Sequence, residues 1–205
     1  MADFMSEIKA IIFDMGGVLL DDKLEGFYRK LAMRMCIKPE KLISFAAEHR
    51  EELQLGKLPV KEFSELVKKK FKLKAEVYKE WQRLYYGAIR VNNESLGLAR
   101  KLKEKGYSVS LISNISDLSA KMNKQRGIFS DFEPVLLSSE LGLLKPQIEI
   151  FELALEKLNL KAEECVFIDD RLDNLEVPES MGSNVIHFRN NKQLEEDLKN
   201  LGINF

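Results

Sequence analysis

Three carboxylates, an ammonium, a hydroxyl and an amide carry the chemistry open to this sequence. Asp14 ends the apolar run "AIIFD". Ser113 and Asn114 end "SVSLISN". Lys145 stands before Pro146 in "SSELGLLKP", and Asp169 and Asp170 end "CVFIDD". Short runs that are apolar on both faces suit the central strands of a parallel sheet. In such sheets ligands bind beyond the carboxyl ends of the strands, so all six side chains belong to one rim. Three close carboxylates repel one another unless a cation joins them, and a hard, oxygen-preferring ion such as Mg²⁺ suits that set. The same ion screens the charge of an incoming phosphate. A carboxylate can then attack phosphorus. Lys145 would neutralise the nucleophile and the equatorial oxygens, while Ser113 and nearby backbone N–H groups hold the phosphoryl oxygens.

The elements that must position these groups follow from patterning. Strands are expected over Ala10–Asp14, Ser108–Ser113, Pro134–Leu137, Cys165–Asp169 and Asn184–Phe188. Helical periodicity over Asn93–Lys105, Ile148–Leu158 and Lys192–Leu201 separates or follows them. Strand–helix alternation implies an α/β fold, a Rossmann-like parallel sheet sandwiched by helices. From about Asp22 to Ala88 the pattern is helical throughout, with expected helices over Leu24–Met35, Pro39–Leu55, Val60–Lys70 and Ala75–Tyr86. Gly56, Pro59 and Gly87 punctuate that stretch. Four helices exceed one crossover, so a small helical bundle is expected as an insertion. The expected division is a core of residues 1–20 and 91–205 with a cap of residues 21–90.

Taken in order, "IIFDMGGVLLDD", "LISN", "LGLLKPQIEIF" and "VFIDDRLDN" resemble the four motifs of the haloacid dehalogenase superfamily. The resemblance covers the core, about two thirds of the chain. It implies that Asp14 is the nucleophile and a metal ligand, with the Gly16 carbonyl as a further ligand. It implies that Ser113, Asn114 and Lys145 bind phosphate, that Asp169 and Asp170 hold Mg²⁺, and that an inserted helical cap closes over the site. Asp170 aligns with the acid of the commoner Gly-Asp form and is the more direct ligand. One departure matters. Most phosphatases of this superfamily carry a second Asp two residues after the nucleophile, which protonates the leaving group and later activates water. Here that position is Gly16. General acid–base catalysis is worth about 10²–10⁴-fold. Glu48, His49, Glu51 and Asp21 are the candidates to replace it, with none singled out.

The bulk numbers narrow the partners. Lys+Arg (32) nearly balance Asp+Glu (33) over 205 residues, so no global basic field points to nucleic acid. No apolar run approaches a membrane span, and the first residues lack a signal-type stretch. The two cysteines, Cys36 and Cys165, are expected as reduced core thiols of a cytoplasmic protein. The Lys68–Lys74 run reads as a solvated helix end. His187 reads as a structural histidine, and Phe45, Trp81, Tyr85 and Tyr86 as cap core. Asp173 and Asn174 either cap a helix or support the metal ligands. The expected function is a Mg²⁺-dependent phosphatase of a small phosphorylated metabolite such as a sugar phosphate, acting through an aspartyl-phosphate as monomer or homodimer. Two alternatives stand beside it. One is a 2-haloacid dehalogenase, which needs no metal and lacks the acidic pair of the last motif. The other is a catalytically weak binding module, which the glycine at position 16 motivates.

Overall fold

A computed structural model describes residues 7–21 and 24–205. Five strands form a parallel sheet among the described residues: β1 (Ala10–Phe13), β4 (Ser108–Ser113), β5 (Val135–Leu137), β6 (Cys165–Asp169) and β7 (Asn184–His187). Their spatial order is β5-β4-β1-β6-β7, which places β1 at the centre. The register aligns Phe13 with Leu111 on one side and with Ile168 on the other. Asp14 and Asp169 therefore leave the sheet side by side, and Ser113 stands one residue further along its strand.

Period-2 alternation divides the sheet's apolar residues between two faces. Ala10 and Ile12 face a cluster with Ile112, Ile150, Phe151 and Phe167. Ile11 and Phe13 face the opposite way, into a larger cluster with Leu98, Leu111 and Val166. This second cluster continues without a break into Phe27, Leu42, Phe63 and Trp81.

Those four belong to the helical stretch: α1 (Leu24–Arg34), α2 (Pro39–Glu48), α3 (Arg50–Gln54), α4 (Val60–Lys70) and α5 (Val77–Ala88). The expected helix over Pro39–Leu55 is two helices. At His49 the backbone tightens (φ −111°, ψ 8°), and its N–H bonds back to the Ala46 carbonyl. The His49 ring folds onto Phe45 and Phe63, with Nδ1 3.0 Å from the Phe45 carbonyl. The chain then changes direction, and α3 reaches the core.

A two-stranded antiparallel ribbon, β2 (Leu20–Asp21) with β3 (Arg90–Val91), joins the helical stretch to the core. Both strands have two residues, too short to leave a periodic signal. The remaining helices are α6 (Asn93–Glu104), α7 (Asp117–Gln125), α8 (Ser138–Leu141), α9 (Ile148–Leu158), α10 (Glu176–Ser180) and α11 (Asn191–Asn200). Cys165 is buried as expected, but Cys36 is exposed. The reason is local. Cys36 takes a left-handed turn (φ 54°) just past α1, and it is Met35 and Ile37 on either side that are buried.

Candidate active site

Asp14 is held at the end of β1 by its N–H, which donates to the Ile168 carbonyl of β6 (2.8 Å). Asp14 is 8% exposed, and Lys145 is 6% exposed. The Lys145 ammonium donates to Asp14 Oδ1 at 2.5 Å and to Asp169 Oδ2 at 2.6 Å. One buried cation thus bridges the ends of two neighbouring strands. The other Asp14 oxygen has no hydrogen bond among the described residues.

Asp169 is more heavily engaged. Besides Lys145, its oxygens accept from the Arg171 N–H (2.9 Å) and from the Asn174 amide (3.0 and 3.1 Å). Asn174 therefore does not serve as a free cap; its side chain fixes Asp169. Asp173 faces outward and pairs with Arg171 at the surface. Asp170 is exposed, and its carbonyl lies 3.1 Å from His187 Nε2. Oxygens of Asp14, Asp169 and Asp170 all lie within 4.8 Å of one another.

The turn after Asp14 requires a glycine at position 17. Gly17 has φ +80°, and a Cβ there would overlap the Asp170 carboxylate. Its N–H donates to the Leu20 carbonyl (2.7 Å), while Leu19 and Leu20 bond back to the Met15 carbonyl. This tight loop carries Gly16 and delivers the chain to β2.

Ser113 is buried at the end of β4. Asn114 is used differently from a simple phosphate donor. Its amide donates to the Lys145 carbonyl (2.8 Å), and its oxygen accepts the Lys145 N–H (2.8 Å). This reciprocal pair fixes the backbone that carries the ammonium. Two residues at the rim have no counterpart in the sequence reading. Ser138 Oγ accepts the Ile115 N–H (2.8 Å) and donates to the Gln54 carbonyl (2.6 Å). Gln54, from α3, donates to the Asn114 carbonyl (3.3 Å). Ser138 follows a strand end, which was a usable signal; Gln54 had none.

Electrostatics show an unbalanced site. Burial pushes the Asp14 carboxyl up to about 7, with Asp169 and Asp170 adding to the rise and Lys145 opposing it. Burial and Asp169 also raise Asp170. Burial would lower the Lys145 ammonium, but its two carboxylate partners outweigh that and raise it. Three carboxylates against one ammonium leave excess negative charge at one rim. An all-oxygen set of this kind fits a hard divalent cation. Asp14 and Asp170 would hold it most directly, because the Asp169 oxygens are already taken by three donors.

Comparisons with known proteins agree with this geometry. The family model described as haloacid dehalogenase-like hydrolase matches residues 8–182. A glyceraldehyde 3-phosphate phosphatase of Pyrococcus furiosus is 28% identical, over 95% of this chain and 86% of that protein. A sesquiterpene phosphatase of Aspergillus oryzae, AstK, is 26% identical over 87% of this chain and 89% of its own length. Among solved structures, a HAD family enzyme of Bacteroides thetaiotaomicron in complex with magnesium and inorganic phosphate superposes with a TM-score of 0.72. It is 23% identical, covering 89% of this chain and 94% of that one. A predicted HAD-like hydrolase of Porphyromonas gingivalis superposes at 0.79, with 21% identity over 98% of this chain and 100% of that one. At such identities the superpositions speak for the fold, and the family match speaks for the class. The chain is a hydrolase and belongs to the haloacid dehalogenase-like family.

Proposed function

We propose that the protein is a Mg²⁺-dependent phosphatase of a small phosphorylated metabolite. The observation that carries this reading is the buried Asp14–Lys145–Asp169 bridge, with Asp170 alongside, at the carboxyl ends of β1 and β6. The names of the relatives, both phosphatases, support it. A Mg²⁺ ion bound there would neutralise phosphate charge and polarise the phosphoryl group.

The chain's own residues supply the rest. Asp14 attacks phosphorus through a carboxylate oxygen. An Asp14–phosphorus bond forms, the ester P–O bond breaks, and the leaving oxygen takes up a proton from solvent water. Lys145 opposes the rise of the Asp14 carboxyl and aims it, and it offers positive charge to the phosphoryl oxygens. Asn114 and Asn174 act as positioning residues, the first on the Lys145 backbone and the second on Asp169. Water then cleaves the aspartyl-phosphate. Gly16 brings no carboxyl to the proton transfers, and the His49 ring lies in the cap's aromatic cluster. A triose phosphate or another small sugar phosphate is the substrate class favoured. We propose that the docked α1–α5 bundle acts as a cap over the rim, which favours a small substrate over a macromolecule.

The test is phosphate release from a panel of phosphorylated metabolites with Mg²⁺. Asp14→Asn should cut turnover by about 10³-fold or more, since the attacking atom is lost. No difference between wild type and variant across the panel would overturn the reading. Chloride release from a 2-haloacid in EDTA would favour dehalogenation instead.

A further inference from the structure

The two edges of the parallel sheet are protected unequally. β5 has three residues, follows Pro134 directly and runs straight into α8. β7 (Asn184–His187) contains neither proline nor lysine, and no strand lies beyond it among the described residues. Proline, lysine and shortness are the usual means of blunting an edge. The last described residues leave β7 uncovered. Ile203 is buried in the core, and the Asn204 N–H donates to the Tyr107 hydroxyl (3.4 Å), next to β4 on the other side of β1.

The register tells which backbone groups are free. The Phe188 N–H donates to the Asp169 carbonyl (2.8 Å), so residues 184, 186 and 188 turn their N–H and C=O groups to β6. Val185 and His187 turn theirs outward. Both line a groove of about 380 Å³, whose other wall is the Asp197, Asn200 and Leu201 side of α11. Arg189 lines it too.

The charges of this groove have no counter-ions. Within α11, Lys192 pairs with Glu196 and Lys199 with Glu195. Asp197 accepts from the Gln193 amide and has no cation partner among the described residues. Arg189 is exposed and has no carboxylate partner among them. The two stand apart along the groove. The ten residues of α11 climb about 15 Å, the length of about four to five strand residues. Ile186 packs in one cluster with Leu194 and Leu198, so α11 runs back along β7. Asp197 therefore lies toward the start of β7, and Arg189 just past its end.

A second copy of the chain, turned about a two-fold axis at Ile186, satisfies both patterns. Val185 then faces His187 of the partner subunit in an antiparallel ladder of about four hydrogen bonds. The same rotation brings Arg189 to the end of the groove that holds the partner's Asp197. We propose that β7 is the contact edge of a symmetric dimer, in which two sheets join antiparallel and Arg189 pairs with Asp197 of the partner subunit. A groove whose own two charges become complementary under a two-fold fits a second copy better than an unrelated peptide. The strand is short, so α11 adds contact, and a dissociation constant on the order of micromolar is expected.

Sedimentation velocity of the full chain across the micromolar range should show a reversible monomer–dimer equilibrium. Arg189→Glu and Asp197→Lys should each weaken it by about tenfold or more, because like charges then face each other. The double variant should return to within about threefold of wild type. Val185→Pro removes an outward N–H without touching the ladder to β6, and it should leave monomer. If that variant does not fold by circular dichroism, the two charge variants decide the matter, because they change the groove's surface and not the core. A chain that stays monomeric throughout the range overturns the proposal. So does a dimer whose dissociation constant moves by less than about twofold in both single charge variants, since another face then makes the contact. A double variant as weak as the single ones overturns it as well.

Discussion

Lys145 has to satisfy two carboxylates from inside the protein, and Asp14 feels the shortfall. Burial raises the Asp14 carboxyl to about 7, above the ordinary value of the unfolded chain. The folded state then holds its proton more tightly than the unfolded state does. The stability linked to this group is fully present below the unfolded value and is lost as pH rises through about 7. In EDTA, wild type should therefore lose stability relative to Asp14→Asn between about pH 5 and about pH 8, by an amount on the order of a few kcal/mol. Urea midpoints of both proteins at the two pH values measure this, and the difference between them removes groups common to both. A constant difference would mean that Asp14 is ionised throughout. Mg²⁺ should flatten the trend by favouring the ionised form.

At the scale of elements, two glycines set how closely neighbouring segments approach. Gly17 lets the loop after β1 lie against Asp170 in a left-handed conformation (φ +80°). Gly17→Ala should push the Asp170 carboxylate aside and weaken Mg²⁺ binding by roughly tenfold or more, a change titration calorimetry would read. Unaltered Mg²⁺ affinity would remove Asp170 from the metal site. Gly56 does a similar job between the bundle and the core. It follows α3 with φ +71°, and a Cβ there would run into the Ser139 carbonyl of α8. Gly56→Ala should cost about 1–3 kcal/mol, and it should loosen the Ser138–Gln54 and Gln54–Asn114 contacts that fasten α3 over the rim. A variant as stable as wild type by denaturant midpoint would show that this seam gives way without strain.

For the whole molecule, continuity of the apolar core matters most. The cluster that begins at Ile11 and Phe13 runs into Phe27, Phe63 and Trp81 without a polar layer between sheet and bundle. Cap and core should therefore unfold together. Trp81 is the single tryptophan and lies within the bundle, where its ring packs on Phe27 at 5.1 Å. Its fluorescence and far-UV circular dichroism, dominated by the whole chain's helices, should give coincident transitions in urea. Separate midpoints would show that the helical stretch is an independent unit. No helix among the described residues is long and apolar enough to cross a membrane.

The sequence by itself determined the strands and what stands at their ends. An apolar run that stops at an acid is a local feature, and parallel-sheet geometry then leaves few places for that acid to go. Asp14 and Asp169 were legible for this reason, Ser113 because it ends its own strand, and Lys145 from its place in the loop after β5; a helical insertion between β1 and β4 was legible too. The tertiary structure decided who touches whom. Asn114 turned to the Lys145 backbone, Asn174 took up Asp169, and His49 broke an expected helix by folding into an aromatic cluster. The two-residue ribbon strands and the Gln54 contact left no trace in the sequence, because a dipeptide has no period and one amide among many marks nothing. Such contacts depend on the packing angle of α3 against α8, a property of neither segment alone.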